Sequence, residues 1–219
     1  MHFYLDTADR AQAEPLLRSG LFAGLTTNPS ILAGAGVLNR SIPELVDWAS
    51  AAGAGTVFVQ SWGSSKAELE DRGAWIQSLG SNVVVKVPAT AAGIAASRTL
   101  TSGGARVLVT AVYAREQALP AMAAGAEFLA PYLGRMHDAG RDGTAEIAAI
   151  QQFITAGGSP LKLLVASLRE TAQIASLAGL GVSHFTLAPG TWQKFFADPL
   201  TAAAVEVFEA ESARMEGAA

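Results

Sequence analysis

Residues 82–88 read Asn-Val-Val-Val-Lys-Val-Pro. The valines run on without alternating with polar residues. A strand with one wet face alternates, whereas a continuous β-branched run marks a strand buried on both faces, as in a parallel sheet covered by helices. The same pattern recurs on either side of this segment. Upstream are HFYLDT from His2, GLTT from Gly24 and TVFVQS from Thr56. Downstream are RVLVTAV from Arg106, EFLAPYL from Glu127, KLLVAS from Lys162 and HFTLAP from His184, which makes eight runs. The stretches between them have helical spacing, as in Ile42, Leu45, Val46 and Ala49, or Leu69, Trp75, Ile76 and Leu79. Gly20, Gly80, Gly104, Gly125, Gly157 and Gly181 fall where helices should end before the later strands. Eight strand-and-helix units in 219 residues predict an α/β fold, a (β/α)8 barrel forming one domain over residues 1–219. A doubly wound open sheet is the alternative, but it usually has fewer strands. Its Gly-rich phosphate turn should also follow the first strand, where Asp6-Thr7-Ala8-Asp9 stands instead. Residues from about 199 to 215 read as an extra C-terminal helix. Ala204, Val205 and Phe208 form its apolar side, read as packing against its own barrel.

Half the residues are hydrophobic and 16% are charged, which suits a sizeable core and excludes disorder. The formal net charge is -4, and the 15 Lys and Arg residues are scattered. No concentrated basic face is available for nucleic acid. The absence of cysteine excludes disulfides, thiolate catalysis and Cys-based metal centres. His2, His137 and His184 are not spaced as a ligand cluster, so no metal is expected. The opening MHFYLDTADR lacks a signal-peptide pattern, and no apolar run reaches membrane-spanning length. A soluble cytoplasmic protein is the expectation.

Most of the runs carry one polar residue near their C-terminal end: Asp6, Gln60, Lys86, Thr110, Tyr132 and Ser167. In a parallel barrel these ends converge on one mouth, where active sites of this architecture are built. Lys86 stands out, with valine on both sides. Lysine is rarely buried, so this one either snorkels to the mouth or is held in an apolar place for a reason. Desolvation disfavours the ammonium form and leaves a free amine near neutral pH. A free amine can attack a ketone to form an imine, an electron sink for the carbanion left when the adjacent carbon–carbon bond breaks. Such chemistry needs an acid/base, for which Asp6 is suited, though Asp6 can also serve as a loop cap beside Thr7 and Asp9. It also needs a proton carrier, such as a water held by Gln60, Thr110 and Tyr132. The amide of Gln60 could only position it, whereas the Tyr132 phenol could donate. Arg135 and Arg169, with Ser167 between them, offer forked donors for a terminal anion, or are ordinary surface arginines.

At these residues the chain resembles a known family. GLTTNPSI at 24–31 resembles the first signature of the transaldolases and the closely similar fructose-6-phosphate aldolases, with Leu25 where Ile or Val is commoner. VVKVPATAAGIAASRTL, from Val84 to Leu100, resembles the signature around that family's Schiff-base lysine. TAVY at 110–113, APYLGR at 130–135 and ASLR at 166–169 resemble further family segments in the right order. The resemblance implies a class I mechanism with no metal and no organic cofactor. Carried over by position, Lys86 would form the Schiff base and Asp6 would be the acid/base. Thr26 and Asn28 would line the site, with Asn28 on substrate hydroxyls. Gln60, Thr110 and Tyr132 would hold the catalytic water, and Arg135, Ser167 and Arg169 would bind the terminal phosphate. The resemblance further implies homo-oligomeric rings of five, often stacked into decamers, with the C-terminal helix reaching a neighbour.

Within the family, transaldolases tend to carry Glu and Phe where this chain has Gln60 and Tyr132, and the aldolases tend to carry Gln and Tyr. That favours reversible cleavage of fructose 6-phosphate to dihydroxyacetone and glyceraldehyde 3-phosphate. GRMHDAGRDG at 134–143 instead resembles a segment of short bacterial transaldolases, which keeps dihydroxyacetone transfer between sugar phosphates open. A substrate ending in another anion, such as a sulfonate, would suit the same arginines. A non-catalytic barrel that binds a sugar phosphate is the alternative from another class.

Overall fold

Each of the eight runs contains a strand in the computed structural model, which describes residues 1–217. The strands are β1 His2–Asp6, β2 Phe22–Thr26, β3 Thr56–Gln60, β4 Val83–Pro88, β5 Val107–Val112, β6 Phe128–Pro131, β7 Lys162–Val165 and β8 His184–Leu187. They pair in parallel in sequence order, and β8 returns to β1 to close the barrel. Around it run α1 Arg10–Arg18, α2 Pro29–Gly34, α3 Ile42–Ala51, α4 Lys66–Gln77, α5 Ala91–Ser102 and α6 Ala118–Ala123. Then come α7 Leu133–Asp138, α8 Gly143–Ala156, α9 Thr171–Gly179, α10 Pro189–Gln193 and α11 Pro199–Glu216.

The valine run of β4 shows why the strands carry no wet face. Val83, Val85 and Val87 point outward into a cluster with helix residues such as Leu69, Ile76 and Ala96. Val84 points inward, to a second cluster with Tyr4, Phe58, Leu108, Phe128 and Leu164. Successive strand residues face opposite sides, so both faces must be apolar. Each fully buried valine of this strand contributes roughly 1.5–3 kcal/mol. Gly24 on β2 lets the neighbouring strand approach: a Cβ there would lie 1.8 Å from the Thr56 carbonyl oxygen.

Local chemistry sets the helix ends. Asp9, Asn28, Thr90 and Asp142 each accept a backbone N–H at the start of α1, α2, α5 and α8. Ser65 and Glu68 form a reciprocal capping box on α4. Gly20, Gly104, Gly125 and Gly181 take the left-handed conformation that ends a helix. Two expected glycines differ. Gly157 keeps a right-handed φ of -85 and passes the left-handed turn to Gly158, φ 58. Gly80 is not left-handed, because α4 has already ended at Ser78.

The C-terminal helix also departs from expectation. No residue of α11 is buried, and Leu200, Val205, Val207, Phe208 and Met215 are exposed. Val205 and Phe208 therefore do not pack on their own barrel, and of the expected apolar side only Ala204 is half-buried. The opposite ends of the strands hold a polar cluster, in which His2 stacks on His184 at 4.5 Å and Glu127 pairs with Arg106 and Lys162.

Candidate active site

The interior positions of the barrel lead directly to the site. Tyr4, Gly24, Phe58, Val84, Leu108, Ala130 and His184 are each followed, two residues on, by a polar residue. Those residues are Asp6, Thr26, Gln60, Lys86, Thr110, Tyr132 and Thr186. The two-residue period keeps them on the inward face and places them one step closer to the mouth. Asp6, Thr26, Lys86, Tyr132 and Thr186 line a cavity of about 240 Å³ there, together with Asn28, Ser30, Arg135 and Ser167. Apolar walls come from Ile31, Leu108, Leu164, Ala130 and Ala166. A wider hollow of about 870 Å³ opens beside it between α1, α2 and α3. It shares Asp6 and Ile31 with the cavity, but Lys86 does not line it.

Lys86 is 4% exposed. Its Nζ donates to the carbonyl oxygen of Thr27 at 2.6 Å. Thr27 is itself fastened to β3, because its N–H and its hydroxyl both donate to the Phe58 carbonyl. Burial pushes the Lys86 amine down to about 8 from its ordinary 10.5, opposed by the Asp6 carboxylate and assisted by Arg135. At pH 7 about a tenth of the lysine is then a free amine, against well under a thousandth of an ordinary lysine. Asp6 is pushed up by burial, while Lys86, the Thr26 hydroxyl and Arg135 all act to lower it. Thr26 donates to Asp6 Oδ1 at 2.7 Å and meets the Thr186 hydroxyl at 2.5 Å.

On the far side of the lysine, the Tyr132 hydroxyl and Thr110 Oγ1 are 2.7 Å apart. Burial raises the Tyr132 phenol, its bond to Thr110 opposes that, and the Asp6 carboxylate adds to the rise while Arg135 works against it. The backbone beside Thr110 is irregular. Ala111 has a φ of 57, and the β5–β6 register shifts between Val109 and Val112. Ser167, φ 59, is the other non-glycine residue with positive φ among the described residues. Such a conformation costs about 1–3 kcal/mol, and both instances stand at strand ends beside the cavity. Thr110 reaches the cavity through Tyr132. Gln60 stands beside Lys86 in the strand register but does not line the cavity wall. Asn28 spends its Oδ1 on the Ile31 N–H at the start of α2.

The cationic side is built from α7 and the loop after β7. The Arg135 guanidinium lies over the Tyr132 ring at 4.9 Å and reaches to 3.5 Å from the Tyr113 hydroxyl. Gly134 makes room beneath it. A Cβ there would stand 2.5 Å from the Ser167 carbonyl oxygen and 3.0 Å from both Ser167 Oγ and Arg169 Nε. Arg169 does not line the cavity, because Asp138 holds its guanidinium in a forked pair, with Nη1 2.7 Å from Oδ1. Among the described residues no group of three or more His, Cys, Asp or Glu is gathered as a metal ion would need. No helix among them is long and apolar enough to cross a membrane.

The description of one protein family, transaldolase/fructose-6-phosphate aldolase, matches residues 3–218. The chain belongs to that family. A relative from Streptococcus agalactiae, named "Probable transaldolase", is 33% identical over 208 residues, 95% of each chain. Another of that name, from Anaeromyxobacter dehalogenans, is 33% identical over 219 residues and the full length of both. Among solved structures, the thiamine phosphate pyrophosphorylase of Pyrococcus furiosus superposes with a TM-score of 0.59 over 85% of each chain, at 15% identity. That likeness shows the barrel fold alone. As a transaldolase/fructose-6-phosphate aldolase family member the chain is an enzyme, an aldolase or a transferase.

Four participants escaped the sequence reading: Thr186, the Thr27 carbonyl, Tyr113 and Ser30. Thr186 carries a readable signal, since it stands two residues after inward-facing His184. The Thr27 carbonyl carries none, because a backbone acceptor has no residue type.

Proposed function

We propose that the chain is a class I aldolase that reversibly cleaves fructose 6-phosphate to dihydroxyacetone and glyceraldehyde 3-phosphate. The observation that carries this reading is a buried lysine with a lowered pKa sharing one small cavity with a half-buried carboxylate. Lys86 Nζ attacks the C2 carbonyl, and water leaves the carbinolamine to give the imine. Asp6 takes the proton of the C4 hydroxyl, and the C3–C4 bond breaks. The aldehyde departs, with the electron pair held as an enamine on the donor half. Protonation at C3 and hydrolysis of the imine then release dihydroxyacetone. Tyr132 and Thr110 hold the water for these proton transfers, with Gln60 positioning it. Arg135 and Ser167 hold the phosphate, and Arg169 joins them on release from Asp138. Asn28 contacts substrate hydroxyls through its amide.

The relatives named probable transaldolase favour a second reading, a transaldolase that passes the dihydroxyacetone unit to an acceptor aldehyde. One experiment separates the two. Fructose 6-phosphate is supplied with and without erythrose 4-phosphate, and glyceraldehyde 3-phosphate is followed. Release without acceptor marks the aldolase, and release only with acceptor marks the transaldolase. Borohydride with substrate should label Lys86 in either case, and full activity in Lys86→Ala would overturn both. Exposed Val205, Val207 and Phe208 on α11 support a homo-oligomer, a pentamer or decamer, in which this helix packs on a neighbouring copy. Light scattering on the purified chain tests that, and a monomer would refute it. A cytoplasmic location suits a sugar-phosphate substrate.

A further inference from the structure

We infer that Thr186 is a positioning residue that works through Thr26, the two forming a one-way hydroxyl relay, Thr186 to Thr26 to Asp6, that holds Asp6 ready as the base. The inference rests on the Lys86–Asp6 reading above and adds to it a residue on the last strand. The three side chains come from neighbouring strands, since β8, β1 and β2 pair side by side. Thr26 and Thr186 are buried, so no bulk water competes for their hydroxyls.

The direction follows from counting protons. A hydroxyl has one proton to give, and an ionised carboxylate can only accept. Thr26 Oγ1 is 2.7 Å from Asp6 Oδ1 and 3.5 Å from the Leu5 carbonyl, so its proton goes to Asp6. Towards Thr186, at 2.5 Å, Thr26 can then only accept, and Thr186 must donate. A donor whose own oxygen accepts a hydrogen bond is a stronger donor, so the Thr186 hydroxyl reinforces the Thr26 bond to the carboxylate. Without it, Thr26 loses that reinforcement and can swing to the Leu5 carbonyl. The charged and titratable groups facing Asp6 from other elements are Lys86 on β4, Tyr132 after β6 and Arg135 on α7. All of them stay in place when Thr186 is changed. The donation from Thr26 favours the carboxylate form, so weakening it moves the acid limb of the rate upward in pH.

Thr186→Val keeps the shape and removes the hydroxyl, and Thr186→Ser keeps the hydroxyl. The expected result for Thr186→Val is a roughly tenfold fall in kcat for cleavage with KM nearly unchanged. The acid limb of its kcat profile should rise by about half a pH unit. Thr186→Ser should recover most of that loss. In a Thr26→Val background, Thr186→Val should have little further effect, because the relay is already cut. Equal rates and profiles in the Val and Ser variants, or an undiminished effect in the Thr26→Val background, would overturn the inference. Borohydride trapping at Lys86 in the wild type is run alongside. Failure there removes the aldolase reading, whereas trapping that persists in variants lacking the predicted pattern removes the relay alone.

Discussion

Replacing Lys86 by Met should abolish activity and make the protein more stable at neutral pH. The amine falls from 10.5 to about 8 on folding because it is buried. At about 1.4 kcal/mol per pH unit, holding it charged in the barrel costs the folded state about 3 kcal/mol. Between these two values the unfolded chain binds more protons than the folded one, so wild-type stability rises with pH through that window. Below pH 8 the penalty is fully present. Methionine has a similar shape and no charge, so it removes the penalty. It also strands the Thr27 carbonyl, which accepts from Lys86 Nζ at 2.6 Å, at a cost of about 1 kcal/mol. The net gain at pH 7 is about 2 kcal/mol. At pH 10 most of the wild-type penalty has gone, and the two proteins should be nearly equal. Urea unfolding of both at pH 7 and pH 10, at one protein concentration, reads the difference directly. A variant less stable than wild type at pH 7, or a gain that does not shrink with pH, would refute the claim that Lys86 is held against its preference.

Gly134→Ala should crowd the anion pocket, because its Cβ would stand 2.5 Å from the Ser167 carbonyl. It should raise KM for fructose 6-phosphate about tenfold and lower stability by about 1–3 kcal/mol, and unchanged KM and melting would contradict that. Asp138→Asn releases Arg169 from its forked pair and should lower KM for the phosphorylated substrate about threefold. Its effect on stability should stay under about 0.5 kcal/mol, because both partners are more than half exposed. Ser65→Ala breaks the capping box of α4 and should cost about 1 kcal/mol in denaturant unfolding, with kcat untouched.

The strands were legible because burial on both faces leaves a continuous apolar run, and its shortness and β-branching set it apart from a buried helix: Val83 to Val87 with a single lysine inside. Lys86, Asp6 and Tyr132 were legible for the complementary reason, since each interrupts an apolar run at the end facing the mouth. Thr26 and Asn28 came from family resemblance, because a threonine after a short apolar run says nothing of where its hydroxyl points. Thr186 was passed over in HFTLAP, although it holds the same position in β8, two residues after inward-facing His184, that the other mouth residues hold in their strands. The pairing of Arg169 with Asp138 could not be read, as it joins the loop after β7 to the end of α7 through side chains alone. The face of α11 misled: an apolar stripe announces that something covers it, and nothing in the stripe says whether the cover is the same molecule.

The closure of the barrel by β1 and β8 has a consequence for biosynthesis. Thr26 and Thr186 meet across 160 residues of chain. A nascent chain on the ribosome can form the Lys86 contact to Thr27 long before the last strand has been made. Until then β1 has an unpaired edge, the kind of exposed template on which chains aggregate. Thr186 thus joins the Asp6–Thr26 pair by the same event that removes that edge. A truncated translation product would carry Lys86 in an unfinished pocket beside an open strand edge, and should be prone to aggregate.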